Sequence, residues 1–153
     1  MTSPSAAGSI DIAATPKTVY ALITDLPTLT SLASETEAMT WRSGSSATPG
    51  AVFSGNNRNG WRRWKTTCTV TDAEPGHKFG FEVRHTVVKI ARWQYDIQER
   101  DAGCRVTEST WDRRPGWFKV PAELATGMRN RSEVNAQHIR ETLLRLKAKA
   151  ESG

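Results

Sequence analysis

Two titratable residues, Glu108 and His85, are the best candidates for chemistry in this chain. Glu108 alternates with Val106 and Thr110, so a strand there would turn its carboxylate towards the covered side of a sheet. A buried carboxylate has a raised pKa and can serve as a polar anchor or a general acid/base. His85 ends another alternating segment, and an imidazole titrates near neutrality. We therefore predict Glu108 and His85 as the candidate catalytic residues.

Each of these residues also has a purely structural explanation. Arg131 or Asn135, on a predicted C-terminal helix, can pair with Glu108 and tie that helix to the sheet. Glu108 can also lie at a frayed strand end. A single histidine at the end of a strand is often a hydrogen-bonded residue of a rim rather than a catalyst. The sequence leaves both explanations open beside the catalytic one.

Aromatic residues share a side with these two groups. Trp64, Phe81, Trp93 and Tyr95 fall at alternate positions of three segments, where they offer flat contacts to a ring or an acyl chain. They can equally fill an ordinary aromatic core. Polar residues interrupt the same side, which is typical of a ligand pocket. The predicted ligand contacts are Trp64, Phe81, Trp93, Tyr95, Thr110, Met128, Arg131 and Asn135.

Four alternating segments between Trp64 and Thr110 would position these side chains. A period of two describes strands with one covered face, and short turns between them predict an antiparallel meander. Further strands are predicted at residues 9–13 and 35–42 and from Ala51 onwards. Turns are predicted at residues 56–60, 74–76 and 101–103, which are rich in glycine, asparagine or proline.

Two short helices and one long helix complete the prediction. Thr15-Pro16 and Asp25-Leu26-Pro27 are typical helix starts. A helix from Pro121 to about Lys149 is expected, with a kink at Gly127 or Asn130. Its predicted inward stripe comprises Leu124, Met128, Arg131, Asn135, Ile139, Thr142, Leu143 and Leu146. The prediction is an α+β fold in which a curved antiparallel sheet of about seven strands surrounds a long C-terminal helix.

Length and composition limit the possible classes of protein. The 153 residues, 37% hydrophobic, suit one soluble domain, predicted at 9–151 after a flexible tail at 1–8. No apolar run reaches the roughly 18 residues of a membrane span, so stable membrane insertion is not expected. The net charge of +5 comes from basic residues mixed with acids, without a nucleic-acid-binding motif. Nucleic acid is therefore not predicted as a partner.

The cysteines and histidines predict no cofactor. Cys68 and Cys104 fall on the covered face without CxxC spacing, as buried thiols of a cytoplasmic protein would. The spacing of the two cysteines and three histidines matches no zinc pattern. GxSxG, Walker-type and GxGxxG motifs are missing from the sequence. We predict neither a metal nor a cofactor.

The sequence resembles the START/Bet v 1-like superfamily (SRPBCC), and within it the polyketide cyclase/dehydrase-like proteins common in actinobacteria. The similar stretches are IDIAATPKTVYALITDL, GWRRWKTTCTVTDAEPGHKFGFEV, RWQYDIQERDAGCRVTEST and IRETLLRLKAKAE. The resemblance implies a helix-grip fold with a deep cavity for a lipid, a sterol, a polyketide or an aromatic metabolite. It implies no specific catalytic residues, because fold does not determine function.

Three functions follow from these observations. The first is a non-catalytic module, monomeric or homodimeric, that binds or carries a hydrophobic small molecule. The second is an aromatase or cyclase in which Glu108 or His85 moves a proton. The third is a regulatory domain that signals ligand occupancy. An enzyme needs at least two convergent titratable groups, whereas a carrier needs only a cavity with an anchor, so the sequence favours the carrier.

Overall fold

Seven strands and four helices make up the part of the chain described by this computed structural model, residues 2–152. In chain order they are β1 (Ala6–Ile12), α1 (Pro16–Ile23), α2 (Leu26–Leu32), β2 (Thr36–Ser43), β3 (Val52–Asn59), β4 (Arg62–Glu74), β5 (Lys78–His85), β6 (Val88–Arg100), β7 (Gly103–Asp112), α3 (Gly116–Thr126) and α4 (Arg131–Ser152). The predicted α+β helix-grip fold is confirmed.

The strands form a single antiparallel sheet in the order β1-β7-β6-β5-β4-β3-β2. Strands β2 to β6 each pair with the next strand along the chain, as the predicted meander requires. Strand β1 forms the other edge of the sheet and pairs with β7, with Ala6 opposite Thr110 and Ile12 opposite Cys104. The predicted covered face is indeed inside, since Val70, Phe79 and Val106 are buried.

The C-terminal half of α4 packs against this face. Ile139, Leu143 and Leu146 are fully or almost fully buried in the core. Gly8 permits the close approach of helix and sheet, because a Cβ atom built on it would lie 2.9 Å from Cγ2 of Ile139. In the N-terminal half of α4, the residue one helical turn before Ile139 is the polar Asn135. This half of the helix does not fill the space against the sheet as the C-terminal half does.

Helices α1 and α2 begin where their sequences predict. The Thr15 hydroxyl accepts a hydrogen bond from the Thr18 N–H, and the Asp25 carboxylate accepts one from the Thr28 N–H. These side chains cap backbone donors that have no partner within the helix.

The predicted helix from Pro121 to Lys149 is wrong, because residues 127–130 divide it into α3 and α4. Gly127 and Asn130 have positive φ angles of 72° and 52°. A left-handed glycine ends a helix by turning its N–H back onto the preceding turn, and the Gly127 N–H donates to the Glu123 carbonyl. Leu124 is consequently exposed, and Met128 lies in the connection, so neither belongs to the inward stripe.

Two boundaries of secondary-structure elements nearer the N-terminus also differ from the prediction. Strand β1 begins at Ala6, so residues 6–8 of the predicted tail are part of the sheet; Met1 lies outside the described residues. The turn predicted at 56–60 is shorter, because pairing continues to Asn59 opposite Arg62. Gly60, with a φ of 64°, takes the left-handed position of that turn. Of the helices within residues 2–152, none is both long and apolar enough to span a bilayer.

We expect Gly8→Ala to destabilise the fold by about 1–3 kcal/mol, because the added methyl overlaps Ile139 and forces α4 away from the sheet. Urea denaturation measures the change in the free energy of unfolding. Gly116→Ala is the matched control, since a Cβ there meets no atom within 4 Å. Equal effects of the two substitutions would show that close packing at Gly8 is unimportant.

Candidate ligand-binding site

A cavity of about 420 Å³ lies between the sheet, α3 and the N-terminal half of α4. Its volume falls within the usual range for small-molecule sites, roughly 300–1,000 Å³. Most of its wall is apolar, and strands β2 to β6 supply the larger part. The large apolar side chains of the wall are Leu29, Met39, Phe53, Trp64, Phe81, Val83, Ile90, Trp93 and Phe118.

The floor of the cavity is formed by Tyr95, Glu108 and Thr142. Phe79 is opposite Tyr95 in the sheet and does not line the cavity; it is completely buried. Val106 and Leu146, one step beyond the floor on β7 and α4, are completely buried as well. The space beneath the floor is therefore solid core.

The mouth lies at the opposite end, where β3, β5 and β7 finish and β4 and β6 begin. His85, Ile90 and Arg114 line this end of the cavity. Helix α3 crosses it and turns Phe118 and Ala122 inwards. The Asn59 amide donates to the Thr126 carbonyl at 2.8 Å, which holds the C-terminal end of α3 to the β3–β4 hairpin.

A hydrogen bond between Tyr95 and Glu108 defines the chemistry of the floor. The Tyr95 hydroxyl donates to Oε2 of Glu108 at 2.9 Å. Oε1 of Glu108 is buried and has no hydrogen-bond partner among residues 2–152. Burial raises the pKa of Glu108 to about 8, although the hydrogen bond from Tyr95 opposes this shift. Burial also raises the pKa of Tyr95 well above its usual range, with a further contribution from Glu108.

The raised pKa makes Glu108 mainly a neutral carboxylic acid at pH 7. Because Oε2 accepts the Tyr95 hydrogen, the acidic proton can reside on Oε1, the atom without a partner. The floor then holds one hydrogen-bond donor that has no acceptor among residues 2–152. A carbonyl, ether or hydroxyl oxygen is the group that such a donor binds.

The pairing of Glu108 with Arg131 or Asn135, one of the alternatives that the sequence leaves open, does not occur. Arg131 instead donates from Nη1 to both carboxylate oxygens of Glu35, each at 3.2 Å. His138 also faces Glu35, with Nδ1 3.9 Å from Oε2. Asn135 is buried in the cavity wall without bonding to Glu108. The hypothesis that an ion pair through Glu108 ties helix to sheet is therefore wrong, because Glu35 lies nearer to the start of α4.

His85 is a residue of the mouth. Its Nδ1 lies 3.0 Å from the Lys65 carbonyl oxygen, and its ring centroid is 6.3 Å from that of Phe118. A carbonyl can only accept, so Nδ1 carries a proton and donates it. This geometry is that of the hydrogen-bonded rim residue considered from the sequence.

Glu108 and His85 are too far apart to act on one reacting atom. Glu108 is opposite Tyr95, which is opposite Phe79, so these three residues lie at one level of the sheet. His85 is six positions further along β5 than Phe79, which corresponds to about 20 Å at roughly 3.3 Å per residue. The two predicted acid/base residues therefore occupy opposite ends of the cavity.

Most of the predicted ligand contacts line the cavity, but two do not. Thr110 is buried and donates to the Arg92 carbonyl at 2.9 Å, outside the cavity wall. Met128 lies in the α3–α4 connection and is also outside the wall. The predicted residues that the structure brings together are Trp64, Phe81, Trp93, Tyr95, Glu108, His85, Arg131 and Asn135.

Sequence reasoning missed the contribution of β3. Phe53, Gly55 and Asn57 alternate along this strand and line the cavity. The alternation is present in the sequence, but the run of asparagines favoured a turn. Asn57 accepts from the Thr36 hydroxyl at 3.0 Å and donates to Thr66 at 3.2 Å, which explains why asparagine is tolerated inside the sheet.

The two cysteines are free and buried, as predicted. Cys68 lies in the cavity wall, and burial raises the pKa of its thiol to about 12. A neutral thiol is a poor nucleophile, so Cys68 serves as an apolar contact. Within the described residues, no three His, Cys, Asp or Glu side chains are grouped closely enough to hold a metal ion.

Residues 3–151 match the model of the family "Polyketide cyclase / dehydrase and lipid transport". The chain belongs to this family. The resemblance to bacterial polyketide cyclase/dehydrase-like proteins is thus confirmed. No curated protein matches the chain in sequence.

Solved structures share this polyketide-cyclase-like fold. The Polyketide_cyc-like protein Cgl2372 of Corynebacterium glutamicum is 26% identical, with 99% of this chain and 94% of that chain covered and a TM-score of 0.65. The di-domain ARO/CYC StfQ of the steffimycin biosynthetic pathway is 13% identical, with 95% and 50% covered and a TM-score of 0.71. Ara h 8.0201 is 8% identical, with 96% and 97% covered and a TM-score of 0.70. The last two show the fold alone.

The raised pKa of Glu108 predicts that this polyketide-cyclase-like protein loses stability as the pH rises. Between about 4.5, the ordinary value, and about 8, the folded state holds a proton that the unfolded state has released. The free energy of unfolding therefore falls through this window, by up to about 5 kcal/mol at about 1.4 kcal/mol per pH unit. Glu108→Gln removes this contribution, and urea denaturation across the window measures the difference from wild type.

Glu99→Gln is the control, because Glu99 is an exposed carboxylate at the end of β6. It should keep the wild-type dependence on pH. The same dependence in Glu108→Gln would show that Glu108 titrates normally and is not a buried neutral acid.

Proposed function

We propose that this protein binds and carries a hydrophobic small molecule in the cavity between the sheet and α4. The observation that supports this most strongly is the buried Oε1 atom of Glu108, which has no partner among residues 2–152 and lies at the floor of an apolar cavity. Leaving a buried polar atom unpaired costs about 1–3 kcal/mol. A ligand that supplies a hydrogen-bond acceptor for this atom removes the cost. In a core that binds no ligand, the cost would remain without any compensation.

The shape of the cavity indicates the class of ligand. The distance of about 20 Å along the strands between the levels of Glu108 and His85 suits an elongated molecule. The aromatic wall suits rings or an acyl chain, and the floor suits one buried oxygen. Asp112 and Arg114, the charged residues that line the cavity at its mouth, are paired with each other at 2.8 Å. The proposed ligand is therefore a lipid, polyketide or aromatic metabolite that enters with its oxygen first.

A second candidate function is that of an aromatase or cyclase. It is supported by the neutral carboxylic acid at the floor, since Glu108 can protonate a ketone oxygen that it binds. A cyclase also appears among the structural neighbours. An enzyme needs a second convergent group, however, and His85 is too distant to be that group. Tyr95 is the remaining titratable residue of the floor, and its hydroxyl already donates its hydrogen to Glu108. The carrier therefore remains the first proposal.

Two further expectations accompany the carrier proposal. The two buried, free thiols favour a reducing compartment, and we propose the cytoplasm. We propose a monomer or homodimer that does not require nucleic acid, because its basic residues are mixed with acids and carry no binding motif.

The carrier proposal predicts saturable binding of Nile red, an apolar dye with a carbonyl group. Ala91→Trp should weaken binding at least about tenfold, because the indole occupies the cavity beside Trp93. Glu108→Leu should weaken it about fivefold through loss of one hydrogen bond. Dye fluorescence gives the affinity, and native mass spectrometry of the purified protein identifies any co-purified ligand.

Leu144→Ala is the control, since Leu144 is exposed on α4 and does not line the cavity. Unchanged affinity in Ala91→Trp would place the dye outside the cavity and contradict the proposal. Turnover of a poly-β-ketone substrate that is lost in Glu108→Gln would favour the cyclase instead.

A further inference from the structure

Large apolar side chains are exposed almost entirely at one end of the molecule. Six such residues occur within residues 2–152, and Leu144 is the one that lies elsewhere. The other five form what we call the mouth surface: Trp61, Val87, Trp117, Val120 and Leu124. Clustering of this kind marks an interaction site, whereas scattered exposed residues need no explanation.

The topology explains why these five residues share one end. Trp61 is in the β3–β4 turn and Val87 is in the β5–β6 turn, and both turns project at the end where β7 finishes. Arg62, beside Trp61, donates to the Leu124 carbonyl at 3.3 Å. His85, near Val87, packs against Phe118. The two turns therefore flank α3 at its opposite ends.

Helix α3 is apolar on two sides. Phe118, Ala122 and Ala125 line the cavity. Trp117, Val120 and Leu124, spaced by three and four residues, face outwards with exposures of 70%, 64% and 73%. A helix that is apolar all round is normally covered on all sides. We therefore expect the outward side of α3 to contact a further apolar surface.

Basic residues surround the mouth surface. Six of them lie on α3, in the β7–α3 and α3–α4 connections, or among the first two residues of β4 and of β6. Within the described part of the chain none of the six has a carboxylate within 4.0 Å. Glu123 is the acidic residue of α3. The basic residues are Arg62, Arg63, Lys89, Arg113, Lys119 and Arg129.

We propose that the mouth surface docks onto an anionic lipid bilayer, with α3 lying in the interface. Tryptophan and aliphatic side chains interspersed with lysine and arginine are typical of interfacial helices, and each basic residue near the surface adds to the attraction. Docking would set the cavity mouth against the membrane, from which an apolar cargo can enter.

Cosedimentation with vesicles tests this proposal. Wild type should bind vesicles of phosphatidylcholine mixed with phosphatidylglycerol more tightly than phosphatidylcholine alone, and added salt should weaken the binding. A Trp117→Ala/Leu124→Ala variant should lower the partition coefficient about tenfold or more. An Arg113→Glu/Lys119→Glu variant should lower it by a similar factor.

Leu144→Ala is again the matched control, because Leu144 lies on α4 about 20 Å along the helix from Arg131. It should bind vesicles like wild type. Failure of wild type to bind anionic vesicles would overturn the proposal, and so would an equal loss in Leu144→Ala. A dimer that Trp117→Ala/Leu124→Ala dissociates, without vesicle binding, would assign the surface to a second copy of the chain. Nile red binding is measured without vesicles, so a failure of docking is distinguishable from a failure of ligand binding.

Discussion

The close contact of α4 with β1 is the constraint on which the cavity depends. At Gly8 the helix approaches the sheet so closely that no Cβ fits, and Ile139, Leu143 and Leu146 complete the core there. The other end of α4 is held by the Arg131–Glu35 ion pair, which is formed with the α2–β2 connection rather than with the sheet. The helix is thus packed tightly at one end only, and the unfilled space at the other end is the cavity.

The same packing gives Glu108 its properties. Glu108 is opposite Gly8 in the sheet, so its carboxyl lies where tight core gives way to open cavity. Burial there makes ionisation costly, and the single hydrogen bond from Tyr95 does not offset the cost. A neutral acid with one donor that has no protein partner results, in a wall that is mostly apolar. The burial of Glu108 and the raised pKa of its carboxyl therefore both follow from the close packing of α4 against Gly8.

The sequence predicts the sheet well because period-two alternation directly reflects which face is covered. It places Trp64, Phe81, Trp93 and Glu108 inside, as the structure does. The partner of Glu108 was not predictable, since Tyr95 becomes its neighbour only through the β6–β7 register. Gly8 resembles a flexible tail residue until α4 is packed on it. Likewise, periodicity alone does not show that Gly127 ends α3, because a single glycine is also compatible with a kinked helix.

The break at Gly127 also explains why α3 has apolar residues on both sides. Within one continuous helix, Leu124 would follow the inward stripe of α4 and be buried. Once the chain turns at residues 127–130, α3 crosses the mouth and Leu124 is directed outwards beside Trp117 and Val120. Helix α3 thus covers the cavity with apolar residues on its inner side and exposes further apolar residues on its outer side. A cover of this kind is most stable where water is scarce on both of its sides, which is the condition at a membrane surface.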